Sequence, residues 1–342
     1  MRLLVALAFS VALAVGFYVV ANDDSSPPRQ GGSAGWRVAS PADEDVDPAR
    51  LKAAVGRIQE EDGAVLALLV ARHGRIVLER YFHGYDGGYP FDVYSETKSV
   101  TSALAGMVLA KRLDARLSEL LSEDVPAAAR RITLRQLLTM TAGFPGDADP
   151  RNDVGDAANL VRALLRRPVV RPPGSRFAYD TPSAHLVSAV ISHASGMSEG
   201  RLAERRLFGP LGIDLLDYWP KDDQGVTYGG TGLSLTARQA AKLGQLYLDG
   251  GRWGGRQLVP RSWVEQSTRA HVSLGDGQGY GYFWWTDDRR GLHSFEALGF
   301  GGQMVAVVPK LDLVVVVMSD PAGARVNLGR LLFDRIVPTV RR

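Results

Sequence analysis

From Leu3 to Ala21 the chain is apolar almost without a break, with Arg2 ahead of it and the polar run Asn22-Asp23-Asp24 behind. One positive charge before a long apolar run is the pattern of an export signal. Secretory h-regions run to ~15 residues and membrane spans to about 20, so residues 1–21 read as a signal peptide, cleaved after Val19-Val20-Ala21, or as a retained anchor through residues 3–21. In either case the rest of the chain is expected outside the cytoplasm, periplasmic or secreted. Residues 22–44 read as a linker, rich in Ser, Pro and Gly over 22–40 with little to bury.

Beyond residue 45 the periodicity becomes that of a folded domain. Leu51, Val55 and Ile58 have helical spacing in a segment opening at Pro48. The stretch AVLALLVARHGRIVLERYF (64–82) predicts two strands joined at His73-Gly74. Near the other end, YGYFWWTD (280–287) reads as an aromatic strand, and QMVAVVPKLDLVVVVMSD (303–320) as two apolar strands folded about Pro309–Asp312; a last helix is expected over 327–336. Between these ends helical spacing dominates, in VTSALAGMVLAKRL, TLRQLLTM, ANLVRALLRR, SAHLVSAVISHA and ARQAAKLGQLYLDG. The expected fold is α/β: an antiparallel sheet flanked by helices, built from about 45–94 and 275–342, with a mostly helical lobe from about 95–274 inserted between. No fixed-period repeat suggests a solenoid.

Composition narrows the chemistry. The 40 basic and 37 acidic residues are scattered, for a net charge of +3, and form no basic stripe of the kind nucleic-acid binding needs. The absence of cysteine removes disulfides, thiolate metal sites and a Cys nucleophile. The six histidines show no metal-ligand spacing, so neither a metal nor a cofactor is expected.

Candidate chemistry lies in YSETKSVTSALAGM (94–107), where Ser95 opens a helix and Lys98 follows one turn later on the same face. A serine hydroxyl needs a base or a cation beside it to become a nucleophile, and a partly desolvated lysine supplies either. A rival stands at Gly196-Met-Ser198-Glu-Gly200, a match to the G-x-S-x-G elbow. That motif requires a preceding strand, whereas residues 183–196 have helical spacing and end in a glycine suited to a C-cap. Tyr179 sits in a turn after a Pro-Gly loop and ahead of a helix, where a phenolic group near a lysine can serve as general base. ALGFGGQ (297–303) places glycines where a strand begins, allowing close backbone approach by a substrate along an edge strand. Phe144, Trp219, Phe283, Trp284 and Trp285 are candidates to line an apolar pocket.

Together these stretches resemble the serine β-lactamase and penicillin-binding-protein superfamily, in the order Ser-x-x-Lys, a Tyr-x-Asn relative, and a Lys-Thr-Gly-type strand. The likeness runs from about Asp45 onward, through ITLRQLLTMTAGF, LSLTARQAAKLGQLYLDGGRWGGRQLVPRSWV and GGQMVAVVPKLDLVVVVMSD. It is greatest with the branch of 6-aminohexanoate-dimer hydrolases and β-lactamase-like carboxylesterases. The resemblance implies Ser95 as acylated nucleophile, Lys98 as its activating partner and Tyr179 as proton carrier. It further implies an oxyanion hole of the Ser95 and Phe300 backbone N–H groups and a substrate strand at Ala297, Leu298 and Gly299. Two positions depart from the pattern: Thr181 stands where many members have Asn, and Ala297 where many have Lys. The implied activity is acyl-enzyme hydrolysis of small esters or amides. The alternatives are a β-lactamase or D-alanyl-D-alanine peptidase, which Ala297 disfavours, and a non-catalytic binding protein of the same fold.

Overall fold

The computed structural model describes residues 36–147, 157–214, 219–289 and 291–341. The apolar segment 1–21, with its signal-peptide or anchor reading, and residues 22–35 lie outside the described residues. Among the described residues no helix is long and apolar enough to cross a membrane.

Helix α1 (Pro48–Glu61) starts at Asp47, whose carboxylate accepts from the N–H groups of Ala49 and Arg50. The hairpin of β1 (Val65–Arg72) and β2 (Arg75–Tyr81) follows, turning at His73 and Gly74, both with positive φ. After the short β3 (Phe91–Asp92) comes the helical lobe: α2 (Thr97–Leu109), α3 (Leu117–Leu120), α4 (Leu134–Leu138), α5 (Leu160–Leu165), α6 (Thr181–Ser195), α7 (Glu199–Ala203) and α8 (Gly209–Leu211). Strand β4 (Ser234–Leu235) pairs back to β3 and leads to α9 (Ala237–Leu248), the small hairpin β5 (Arg252–Trp253) and β6 (Arg256–Gln257), and α10 (Arg261–Ser267). The chain then returns to the sheet as β7 (Val272–Gly275), β8 (Gln278–Tyr280), β9 (Trp285–Asp287), β10 (Ser294–Gly299), β11 (Gln303–Val308) and β12 (Leu313–Ser319). Helix α11 (Leu328–Arg330) continues as a wider helical turn through Leu331–Ile336 and a tighter one through Val337–Thr339.

The main sheet has eight strands in the order β2-β1-β12-β11-β10-β9-β8-β7, and its ladders are antiparallel. The N-terminal hairpin thus joins the C-terminal strands across β1 and β12, as the apolar runs at the two ends predict. Every residue of β1, β11 and β12 is buried, because both faces of the sheet are covered. One face, with Leu69, Ala71, Val305 and Val316, shares a core with α2, α6 and α9. The other, with Leu68, Val70, Val315 and Val317, packs against Leu51, Ile58, Leu332 and Ile336 of the terminal helices. Continuous apolar strands are what two covered faces require; a half-exposed sheet would alternate.

Two expectations change. Residues 36–44, read as the end of a linker, pack on the hairpin: the Trp36 indole N–H donates to Gly74 O at 2.7 Å, Val38 bridges to Ile76, and Glu44 is buried beside Arg75 and His73. Trp36 supplies the apolar area that composition averaged over 22–44 conceals. The aromatic stretch 280–287 is two strands, β8 and β9, because Phe283 takes φ 60° and reverses the chain.

Candidate active site

Ser95 lies in a single tight turn, Tyr94–Glu96, that feeds directly into α2. Tyr94 has φ 47°, an αL conformation uncommon for a bulky residue, and Asp92 holds it by accepting from its N–H at 2.7 Å. Strain of this kind costs of the order of 1–3 kcal/mol and persists only where the surroundings over-determine it. Here Val93 N–H donates to Leu233 O at 2.9 Å. Its carbonyl lies so close to Gly299 that a Cβ there would come within 2.4 Å. Helix α2 is buried along most of its length, so Lys98 sits in the core with 1% of its surface exposed.

A buried ammonium survives only if its donors are satisfied. Lys98 Nζ donates to Gly230 O at 2.9 Å and to Thr181 Oγ1 at 3.1 Å, and lies 2.9 Å from Ser95 Oγ. Nζ is also 4.9 Å from the centre of the Tyr179 ring. Glycine at 230 is required for this approach, since a Cβ would meet Thr181 Cγ2 at 2.9 Å. The neighbouring Glu96 is buried, and desolvation pushes its carboxyl well above the usual carboxylate range.

Tyr179 precedes α6, and the start of that helix is pinned by Asp180. The Asp180 carboxylate caps the helix, accepting from Ser183 N at 3.0 Å, and forms a bidentate pair with buried Arg167 at 2.7 and 3.1 Å. With Asp180 fixed, Tyr179 and Thr181 are held on either side of it. The Tyr179 ring stacks on Trp285 at 5.7 Å with 22° between planes and meets Tyr280 edge-on. Thr181 is gripped by Asp147, which accepts from its N–H at 2.6 Å and its hydroxyl at 2.7 Å.

The strand carrying Ala297, Leu298 and Gly299 is interior in the sheet order, yet its ladder with β9 stops at Glu296, opposite Trp285. Among the described residues, 297–299 pair with β11 alone, through Val305, Met304 and Gln303. The free side of this half-strand, where an edge strand was expected, adjoins the Tyr179–Trp285 stack. Ala297 itself is 1% exposed and packs into the core with Phe295. Phe300, just past the strand, is 55% exposed and meets the Tyr94 ring at 5.7 Å, beside Ser95.

Ser95, Lys98 and Tyr179 therefore converge, with Phe300 on the rim. The expected aromatic pocket does not form from four of its five residues. Phe144 is buried under the Arg167 guanidinium, and Trp219 packs on Phe208 while donating to Tyr228 O at 2.9 Å. Trp284 packs between Tyr247 and Phe295, and Phe283 ties α2 to the sheet by accepting from Ser99 Oγ at 2.8 Å. Only Trp285, part-buried on Tyr179, remains at the site. Ser198 follows α6, whose C-cap is Gly196 at φ 69°, so it stands between two helices and not on a strand-to-helix elbow. Asp147, Gly230 and Arg167 were absent from the sequence reading. The glycine pair 229–230 is a signal for Gly230, but no motif or spacing marks Asp147 or Arg167.

A family model described as Beta-lactamase matches residues 52–329, and the chain belongs to that family. The 6-aminohexanoate-dimer hydrolase of Paenarthrobacter ureafaciens is 24% identical over 295 residues, 76% of this chain and 74% of that protein. Among solved structures, a Bacillus anthracis protein described as a candidate 6-aminohexanoate-dimer hydrolase aligns with TM-score 0.73 and 23% identity, over 89% of this chain and 86% of its own. EstCE1, described as a hydrolase with promiscuous acyltransferase activity, aligns with TM-score 0.67 and 20% identity, over 85% and 97%. At these identities the solved structures establish the fold alone.

Proposed function

We propose that this protein is a serine hydrolase that forms an acyl-enzyme on small ester or amide substrates. The observation that carries this reading is the 2.9 Å contact of Lys98 Nζ with Ser95 Oγ, with the Tyr179 ring over the same ammonium. In the proposed reaction Ser95 Oγ attacks the substrate carbonyl and its proton passes to the Lys98–Tyr179 pair. The alkoxide or amide leaving group departs with that proton. Water then attacks the ester to Ser95 and gives a proton to the same pair, which returns it to Ser95 Oγ as the acyl–Oγ bond breaks and the acid leaves. The N–H groups of Ser95 and Phe300 are proposed to hold the oxyanion, with the substrate along the free side of residues 297–299.

Ala297 argues for neutral substrates. A buried methyl group stands where a lysine would present a cation to a substrate carboxylate. Phe300 and Tyr94 give the site an aromatic rim suited to an apolar acyl or leaving group. A β-lactamase or D-alanyl-D-alanine peptidase is the second reading, favoured by family membership and opposed by Ala297. The reading also places the enzyme outside the cytoplasm, exported or anchored through residues 3–21. Labelling with a fluorophosphonate probe, followed by a panel of aryl esters, amides and β-lactams, tests the proposal; a folded protein that takes no label and turns over nothing would return it to a binding role.

A further inference from the structure

We propose that Asp147 is a positioning residue for the Ser95–Lys98 pair, acting through the Thr181 hydroxyl. The inference rests on the serine-hydrolase reading above and assigns the hydrogen-bond polarity within that site. Gly230 O can only accept, so the Lys98 contact at 2.9 Å uses one N–H. Thr181 Oγ1 gives its proton to Asp147 Oδ2 at 2.7 Å, so toward Lys98 it too can only accept, which uses a second N–H at 3.1 Å. The third position on Nζ is left facing Ser95 Oγ at 2.9 Å. In the ammonium that position is an N–H and the serine accepts. In the neutral amine it is the lone pair, and the serine hydroxyl must donate to it. The carboxylate thus aims the base at the nucleophile without touching either.

The backbone shares in the arrangement. Asp147 N–H donates to Tyr179 O at 2.8 Å while its other oxygen accepts from Thr181 N at 2.6 Å, so one residue clamps both flanks of the Tyr-Asp-Thr motif. This accounts for threonine where many relatives carry asparagine. An asparagine amide brings its own fixed acceptor, whereas a hydroxyl is ambivalent and needs a partner that can only accept. The charged and titratable groups facing Asp147 are Lys98 from α2, Asp180 at the start of α6 and Tyr280 from β8, with Tyr179 beside them. Desolvation raises the Asp147 carboxyl above its ordinary value, opposed by the Lys98 charge.

The test is the pH profile of kcat/KM on p-nitrophenyl butyrate for Asp147→Asn, Thr181→Val, Thr181→Ser and the Asp147→Asn/Thr181→Val pair. Removing a part-buried negative charge makes proton loss from the Lys98–Tyr179 pair easier, so in Asp147→Asn the acid limb should move down by about 1 pH unit. Thr181→Val should move it the same way, and Thr181→Ser should hold it in place. The losses in kcat from Asp147→Asn and Thr181→Val should be strongly non-additive, because one acts through the other. An unmoved acid limb in a folded Asp147→Asn variant, or losses that multiply, would overturn the proposal. If Asp147→Asn does not fold, the Thr181→Val and Thr181→Ser profiles decide alone: identical limbs overturn it. Failure of the serine reading looks different, since either the wild-type protein would take no fluorophosphonate label or Ser95→Ala would keep it.

Discussion

Lys98 Nζ lies 2.9 Å from Ser95 Oγ in a protein whose G-x-S-x-G serine, Ser198, stands between two helices. Covalent capture should follow that contact. Ser95→Ala is expected to abolish fluorophosphonate labelling, read by intact-protein mass, while Ser198→Ala leaves it near wild type. Labelling that survived in Ser95→Ala and vanished in Ser198→Ala would remove the superfamily mechanism altogether.

Tyr179→Phe keeps the ring that stacks on Trp285 and deletes only the hydroxyl. Its kcat should fall by about 10² to 10⁴, the usual worth of general acid–base catalysis, with Tm nearly unchanged. A loss below about tenfold in the folded variant would assign Tyr179 to packing alone.

The buried methyl of Ala297 bears on substrate class. Losing a charge-assisted hydrogen bond of roughly 1.5–3 kcal/mol corresponds to about 10- to 150-fold in kcat/KM. p-Nitrophenyl butyrate should therefore be preferred over nitrocefin by at least that order. A clear preference for nitrocefin would favour the β-lactamase reading.

Glu199 is buried near Ser188 and Thr101, and desolvation raises its carboxyl from 4.5 to about 7. Its folded pKa exceeds its unfolded one, so the folded state holds a proton that the unfolded chain has lost between those values. Its contribution to stability is complete below the unfolded value and is lost as pH rises through about 7. Glu199→Gln, neutral throughout, should raise Tm relative to wild type at about pH 8, by at most ~3 kcal/mol in stability. The gain should shrink toward about pH 5. A Tm difference independent of pH would show that Glu199 does not titrate in this range.

The elements and their class were legible in local pattern, since they follow from short-range chemistry. The His73-Gly74 turn, the apolar β11 and β12 and the Gly196 helix end each carry their signal within a few residues. Ser95, Lys98 and Tyr179 were legible as well, because a helix start puts the first two on one face and a turn presents the third. The aromatic residues misled. Phe144, Trp219, Phe283 and Trp284 have the composition of a pocket, but burial area decides their place, and a core gives each more contact than a cleft would.

By itself the sequence determined a helix-flanked antiparallel sheet joining both ends of the chain, a helical lobe between them, and the residue types of a candidate Ser-Lys-Tyr site. Tertiary structure alone decided which acceptors surround Lys98. Gly230 and Thr181 come to it, and Asp147 to Thr181, from three distant segments, and hydrogen-bond partners so far apart in the chain leave no periodic trace. It also decided that the ladder between β10 and β9 ends at Glu296, freeing residues 297–299 beside Trp285. Strand pairing is a property of two segments at once, and neither contains the register.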